Sequence, residues 1–371
     1  MDFEEAEAKE LLRQAGIPVP PGELCRDADA TAAAVGRLGR SAVKAQVPSG
    51  KRGKAGGIRL VDDPAQARAA ANAILGMEIA GYRVERLLVE KFAAIAQELY
   101  AAVLNDVESR APVVLFSTAG GMDIEEIAAE RPQSIVRVPV DVMRGVDRSR
   151  VRSALQGAED ADAVADFLVR LYGLYVQTDA ELLEVNPLVR LQGGGLAALD
   201  CKLTVDDAAL YRHPELAWRG AREKLTELER RGRELGLKYI ALPGNVGVLA
   251  NGAGLTMTTM DVIEHCGGAP ANFLEIGGEA YTKATAALEL VLANPRVKSV
   301  IVNFCGAFAR TDVMAGGVIE AWETLRPSLP VFFSVHGTGE EAAVELIRQR
   351  LKLEPFDRME DAVRAAVEAA R

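Results

Sequence analysis

Hydrophobic and polar positions change rhythm along the chain, and each change marks a new kind of structure. The opening MDFEEAEAKELL sets apolar residues at helical spacing among acidic ones, which predicts an amphipathic helix. The segment Gly16-Ile-Pro-Val-Pro-Pro-Gly22 stops it, because proline cannot supply the backbone N–H that a continuing helix needs. Strand patterns follow at Ser41 to Val47 and Ile58 to Val61, joined by the polar, glycine-rich stretch Pro48 to Gly57, a candidate hairpin loop. Ala65 to Leu75 reads as helix, Arg86 to Glu90 and Glu98 to Leu104 as strands, and Ala161 to Tyr175 as a second long helix. Two further strand patterns, Glu181 to Val189 and Leu196 to Leu203, flank the turn residues Gln192-Gly193-Gly194, and a charged linker occupies 221–236.

From Val246 the rhythm becomes a regular alternation: strand Val246 to Ala250, helix Met257 to Cys266, strand Asn272 to Ile276, helix Ala284 to Leu292, strand Ser299 to Phe304, a helix, strand Val331 to Val335, and a helix. Such alternation predicts a parallel, doubly wound sheet, in which ligands sit beyond the carboxyl ends of the strands.

Composition limits what these elements can do. A chain of 371 residues is too long for one ordinary domain, so two or three compact units are expected. The 43 Lys and Arg against 53 Asp and Glu leave a net charge of −10, which disfavours nucleic acid and anionic membrane as partners. A site for phosphates must therefore gather positive charge locally. No apolar run approaches the roughly 20 residues that cross a bilayer, and the acidic opening is unlike the basic start of a signal peptide, so a cytoplasmic protein is expected. Cys25, Cys201, Cys266 and Cys305 are scattered without metal-ligand spacing and read as reduced, buried thiols.

Two segments carry chemistry. In the Pro48–Gly57 loop, Lys51, Arg52 and Lys54 lie among Gly50, Gly53, Gly56 and Gly57, so the backbone can approach a ligand while the cations neutralise it. The spacing fits neither a P-loop nor a Rossmann fingerprint, and a solvated basic loop is the plainer alternative. In the second segment, folding Glu181–Val189 back on Leu196–Leu203 sets Glu184 opposite Lys202 and Asn186 opposite Asp200, all on one face. Leu183, Val185, Leu199, Cys201 and Leu203 take the other face, which reads as core. An Asn carbonyl beside an Asp carboxylate offers the hard oxygens that Mg2+ takes, with Glu184 near enough to orient a phosphoryl acceptor. The alternative is a wet polar face with an ordinary surface ion pair.

Five linked motifs resemble the succinyl-CoA synthetase (succinate–CoA ligase) β-subunit family in order and spacing: Lys44-Ala-Gln-Val with Arg52-Gly-Lys-Ala-Gly-Gly57, Leu183-Glu-Val-Asn-Pro-Leu-Val189, Leu199-Asp-Cys-Lys-Leu203, Asn251-Gly-Ala-Gly-Leu255, and Pro270-Ala-Asn-Phe-Leu274. The resemblance implies an α+β ATP-grasp module over 1–235, with a smaller lobe at about 20–94, followed by a flavodoxin-like α/β CoA-ligase domain over 236–371. It implies that Lys44, Lys51, Arg52, Gly53, Glu90, Ala93 and Glu98 surround the nucleotide and that Asn186 and Asp200 hold Mg2+. Glu184 would contact a phosphohistidine carried by a separate α-type subunit. Asn251, Ala307, Phe308 and Ala309 would border the acyl substrate, a small dicarboxylate. ATP and CoA are the implied cosubstrates, CoA being bound mostly by the partner, and no glycine-rich phosphohistidine context surrounds His213, His265 or His336.

The chain departs from the family pattern at several points. Lys51 replaces a usual glycine, Glu279 follows Gly277-Gly278 where a third glycine is usual, Phe308 and Ala307 alter the substrate loop, and Ser334-Val-His-Gly337 replaces a charged pattern. The stretch Gly120 to Ala128 is also similar to the malate–CoA ligase branch. A noncatalytic, nucleotide-binding paralogue is the competing expectation, with Glu279 and the 334–337 change as its basis.

Overall fold

The computed structural model describes residues 1–122, 124–221, 224–277 and 283–371. The chain divides into two compact units, Met1–Glu223 and Lys224–Arg371.

The first unit opens with the helix Glu5–Gln14, whose buried face carries Glu5, Ala8, Lys9, Leu11 and Leu12. Gly16, at φ +72°, lets the chain turn out of the helix into the proline-rich segment. A four-stranded antiparallel sheet follows, in the order Gly22–Cys25, Leu87–Lys91, Ser41–Ala45, Ile58–Val61. It is covered by the helices Ala28–Leu38 and Pro64–Ile74, capped by Asp27 and Asp63 through bonds to Ala30 N and Gln66 N. Val35, Val43, Ala71, Ile74, Leu87 and Val89 close this core. The expected hairpin is present: Ser41–Ala45 pairs with Ile58–Val61, Lys44 opposite Ile58, and the glycine-rich loop connects them.

A second antiparallel sheet is built on two twelve-residue strands, Ile95–Asp106 and Ala180–Leu191, that run side by side. Ala111–Ser117 and Ile135–Pro139 extend it on one side, Leu196–Ala198 and Lys202–Val205 on the other. The helix Ala161–Gln177 packs with the first helix on one face, burying Leu12, Val103, Leu168, Leu171, Leu183 and Leu203. The strand expected over 196–203 is split in two, because Leu199, Asp200 and Cys201 leave the regular ladder. The register survives the break: Leu188 pairs with Ala198 on one side and Glu184 with Lys202 on the other, while Leu199 N donates to Pro187 O at 3.1 Å between them.

The second unit contains parallel strands Val246–Ala250, Ser299–Gly306 and Val331–Gly337. Parallel bridges from Ala250 to Glu275 and from Ser334 to Phe356 add neighbours at either edge, giving the 2-1-3-4-5 strand order of a flavodoxin-like sheet. One face buries Leu290, Met314, Val318 and Ile347, the other Ile263, Val363 and Val367. The segment read as a charged linker contains a helix, Glu227–Glu234, opened by a capping box between Thr226 and Glu229. Of the thiols, Cys25 and Cys201 are buried and Cys266 is half-buried, but Cys305 is exposed because it closes a strand at the sheet's carboxyl edge.

Candidate active site

Positive charge is gathered in the first unit by burial. Lys44 lies on the Ser41–Ala45 strand, and Arg52 on the loop that follows turns inward, so both side chains are buried. The reading of this loop as merely solvated is therefore wrong for Arg52. Lys44 Nζ donates to Glu5 Oε1 at 2.9 Å, Glu90 Oε1 at 2.7 Å and the Leu199 carbonyl at 2.7 Å. Lys9 Nζ lies 2.7 Å from Glu5 Oε1, 2.5 Å from Glu90 Oε2 and 2.7 Å from the same carbonyl. Arg52 Nη1 lies 2.7 Å from Glu5 Oε2 and donates to Ala45 O at 3.1 Å, while Nη2 donates to Asp200 Oδ1 at 2.5 Å.

These contacts set the charge states. Burial alone would raise the Glu5 carboxyl, but Lys44, Lys9 and Arg52 outweigh it and hold it well below the usual carboxylate range. Burial would depress the Lys44 ammonium and the Arg52 guanidinium; Glu5 foremost, with Glu90 or Asp200, holds both above their ordinary values. Glu5, Lys44 and Arg52 are thus each held in the charged form, within a cluster of three basic and three acidic side chains. Glu5 and Lys9 have no role in the sequence reading. Their signal was an ion pair at i, i+4 placed on the apolar face of the first helix, in line with Ala8 and Leu12.

Beside the cluster opens a cleft of about 200 Å3, lined by Lys51 and Arg52 from the loop and by Glu184, Asn186, Asp200 and Lys202 from the hairpin. The strand Ala180–Leu191 bulges at Asn186 and Pro187, where two residues intervene in its pairing with Ile95–Asp106 between Val185 and Leu188. Asn186 Oδ1 accepts from Gly121 N at 2.8 Å and Nδ2 donates to Met122 O at 3.0 Å, so its amide fastens the Gly120–Met122 turn over this end of the sheet. Glu98 lies under the same turn, its carboxylate against Gly121. Cys201, next to Asp200, has its thiol pushed well up by burial and stays neutral.

Lys44, Lys51, Arg52, Glu90, Glu184, Asn186 and Asp200 thus occupy the cluster or its cleft. Gly53, exposed in the loop, accepts from Gly56 N at 3.0 Å, and Ala93 lies past the end of the Leu87–Lys91 strand; neither lines the cleft. Lys51 adopts φ +60°, a conformation that glycine takes without cost, which accounts for glycine being usual there.

In the second unit, Asn251 follows the Val246–Ala250 strand and Cys305 closes the neighbouring Ser299–Gly306 strand. Asn251 Nδ2 donates to Cys305 O at 2.9 Å, and Cys305 N donates to Asn251 Oδ1 at 2.8 Å. The two strands bracket the point where strand order reverses, the usual ligand crevice of such sheets. Ala307, Phe308 and Ala309 continue from there, Phe308 fully exposed. Asn251 therefore spends its amide on the backbone of the Cys305–Arg310 loop, which places it as the support of that loop. Glu279 lies outside the described residues.

The ATP-grasp domain family matches residues 2–190 and the CoA-ligase family residues 249–366. The chain is accordingly an ATP-grasp CoA-ligase subunit. It is 44% identical to succinate–CoA ligase [ADP-forming] subunit beta of Rubrobacter xylanophilus over 381 aligned positions, covering 100% of this chain and 99% of the relative. It is 42% identical to the [GDP-forming] subunit beta of Thermus thermophilus, covering 94% and 93%. Its fold is similar to that of ATP citrate lyase from Methanothrix soehngenii in complex with citrate and coenzyme A, with 24% identity, 99% of each chain covered and a TM-score of 0.75. The chain belongs to the succinate–CoA ligase β-subunit family: it is a β-type subunit of an ATP-dependent CoA ligase, an enzyme that also requires an α subunit. Among the described residues no helix is long and apolar enough to cross a membrane.

Proposed function

We propose that this subunit converts succinate or a related dicarboxylate, CoA and ATP into acyl-CoA, ADP and phosphate, with a histidine of the α subunit carrying the phosphoryl group, in the cytoplasm. The observation that carries the proposal is the convergence of Lys44, Arg52, Glu184, Asn186 and Asp200 on one cleft and the charge cluster beneath it. Phosphoryl transfer needs positive charge where the phosphates lie, and buried cations anchored on buried carboxylates supply it.

The γ-phosphoryl group of ATP passes to the partner's histidine nitrogen, releasing ADP, and then to a carboxylate oxygen of the acid. The CoA thiolate attacks the resulting acyl phosphate at its carbonyl carbon, and phosphate leaves with the electron pair of the broken C–O bond. A histidine carrier lets activation and thioester formation occur at separate sites, each shaped for one step. Arg52 holds the nucleotide phosphates, Lys44 attracts them through its charge from the cluster beneath, Lys51 lies at the cleft, and Glu184 orients the histidine through its imidazole N–H. The substrate-side loop, Ala307 to Ala309, borders the acyl group at the switch point of the second unit.

The donor set fits Mg2+: Asp200 and Asn186 are hard oxygen ligands on one cleft, and the bonds that Asp200 accepts from Arg52 Nη2 and Cys201 N both fall on Oδ1. Bound there, Mg2+ would neutralise phosphate charge; Asn186 would contribute its carbonyl oxygen and Asp200 its carboxylate.

The test is labelling of the α subunit from γ-labelled ATP by the assembled complex. Glu184→Gln and Asp200→Asn should each lower the rate by about a hundredfold or more. Unchanged labelling by an intact complex would remove the substituted residue from the site.

A further inference from the structure

We infer that Arg52 is a two-position guanidinium. Its inner nitrogen stays fixed on Glu5 and the Ala45 carbonyl while its outer nitrogen passes from Asp200 to a nucleotide phosphate, and Asp200 is thereby released to the metal. The inference rests on the nucleotide-site reading above and adds to it a linkage between nucleotide and Mg2+ binding that runs through one ion pair.

An ammonium has three N–H donors. Lys44 directs its three to Glu5, Glu90 and Leu199 O, and Lys9 contacts the same three residues. Neither can bond a phosphate without giving up a buried partner, so their effect on phosphate is exerted through the field. Arg52 is different. Its Nη1 faces buried partners, Glu5 Oε2 and Ala45 O, whereas its Nη2 faces Asp200 on the cleft.

Charge counting points the same way. Lys9, Lys44 and Arg52 balance Glu5, Glu90 and Asp200, so an incoming phosphate adds uncompensated negative charge unless one carboxylate withdraws or meets another cation. Glu5 and Glu90 cannot withdraw, with side-chain exposures of 1% and 4%; Asp200, at 34%, can. Its second bond, from Cys201 N at 2.8 Å, keeps the carboxylate oriented when Arg52 leaves. The apo pair therefore masks two ligand sites of opposite charge, one for phosphate and one for cation, and both are exposed by the same exchange.

The experiment is calorimetric titration of ATP into the αβ complex, in EDTA and again in Mg2+, for wild type, Asp200→Asn, Arg52→Lys and the double variant. In EDTA, Asp200→Asn should bind ATP about tenfold more tightly than wild type, because the outer nitrogen no longer has a charged competitor, and Mg2+ should add little. In the Arg52→Lys background, which has no second arm, Asp200→Asn should change ATP affinity in EDTA by less than about twofold. Equal or weaker binding by Asp200→Asn in EDTA overturns the exchange, as does tightening that persists undiminished without Arg52, which marks a general charge effect. Should Arg52→Lys fail to assemble, Asp200→Glu decides: it keeps the competing charge, so tightening there as large as in Asp200→Asn overturns the inference. Absence of ATP binding by wild type in both media is a separate result, and removes the nucleotide-site reading itself.

Discussion

At the scale of single residues, Glu5 governs the charge cluster. Among the described residues it is the one carboxylate in contact with Lys9, Lys44 and Arg52 together. Glu5→Gln preserves shape but leaves three buried cations facing two carboxylates, and denaturant unfolding should show a loss of about 3 kcal/mol or more. The pH dependence has a definite sign. The folded-state pKa of Glu5 is depressed, so its contribution is complete above the ordinary value of 4.5 and is lost as pH falls below that through the folded value. For Lys44 the shift is upward: its contribution is complete below 10.5 and is lost as pH rises through the folded value. Acid unfolding of Glu5→Gln should accordingly lack part of the wild-type decline below 4.5. Arg52 was legible in the sequence because it is one of three cations set among glycines in one loop, whereas Lys44, on the preceding strand, was named only through the family resemblance. Glu5 and Lys9 were not legible, since a Glu–Lys pair at i, i+4 normally decorates a wet helix face, and only the tertiary packing of that face turns it inward.

At the scale of elements, the hairpin from Ala180 to Val205 was legible down to its register. Alternation alone assigns Leu183 and Leu203 to the core and Glu184 to the side of Lys202, and the observed pairing agrees. The break at Leu199–Cys201 was not legible, because it depends on what the strand meets: the Leu199 carbonyl leaves the ladder and accepts from both Lys9 and Lys44. The Gly120–Met122 turn was visible only as a resemblance, and its tie to Asn186 is a tertiary fact. Asn186→Ala removes both bonds to this turn, so hydrogen exchange at the Gly121 amide should accelerate by about tenfold while the global unfolding midpoint barely moves. Equal exchange rates would show that the turn is held by other contacts. Gly120→Ala should do more damage, since a Cβ there meets the backbone of Leu99, which cannot yield as a side chain can. A stability loss of about 2 kcal/mol or more is expected by chemical denaturation.

At the scale of the whole molecule, the change of rhythm at Val246 marks where the parallel, doubly wound sheet begins after the antiparallel sheets of the first unit, because side-chain periodicity reports which faces of an element are buried. Function was legible less evenly. The nucleotide side of the proposal rests on charges whose partners can be named, whereas its acyl side rests on the family resemblance of the Cys305–Arg310 segment, whose backbone Asn251 braces. The central claim is that this chain is one half of an acid–CoA ligase. It is tested most directly by mixing the purified subunit with its α partner and following thioester formation with ATP, Mg2+, CoA and a panel of dicarboxylates. Acyl-CoA should form at a stoichiometry of one ADP per thioester, with succinate or a close relative preferred and neither subunit active alone. Thioester formation by the isolated chain, or a complex that binds ATP yet activates no acid in the panel, would contradict the account.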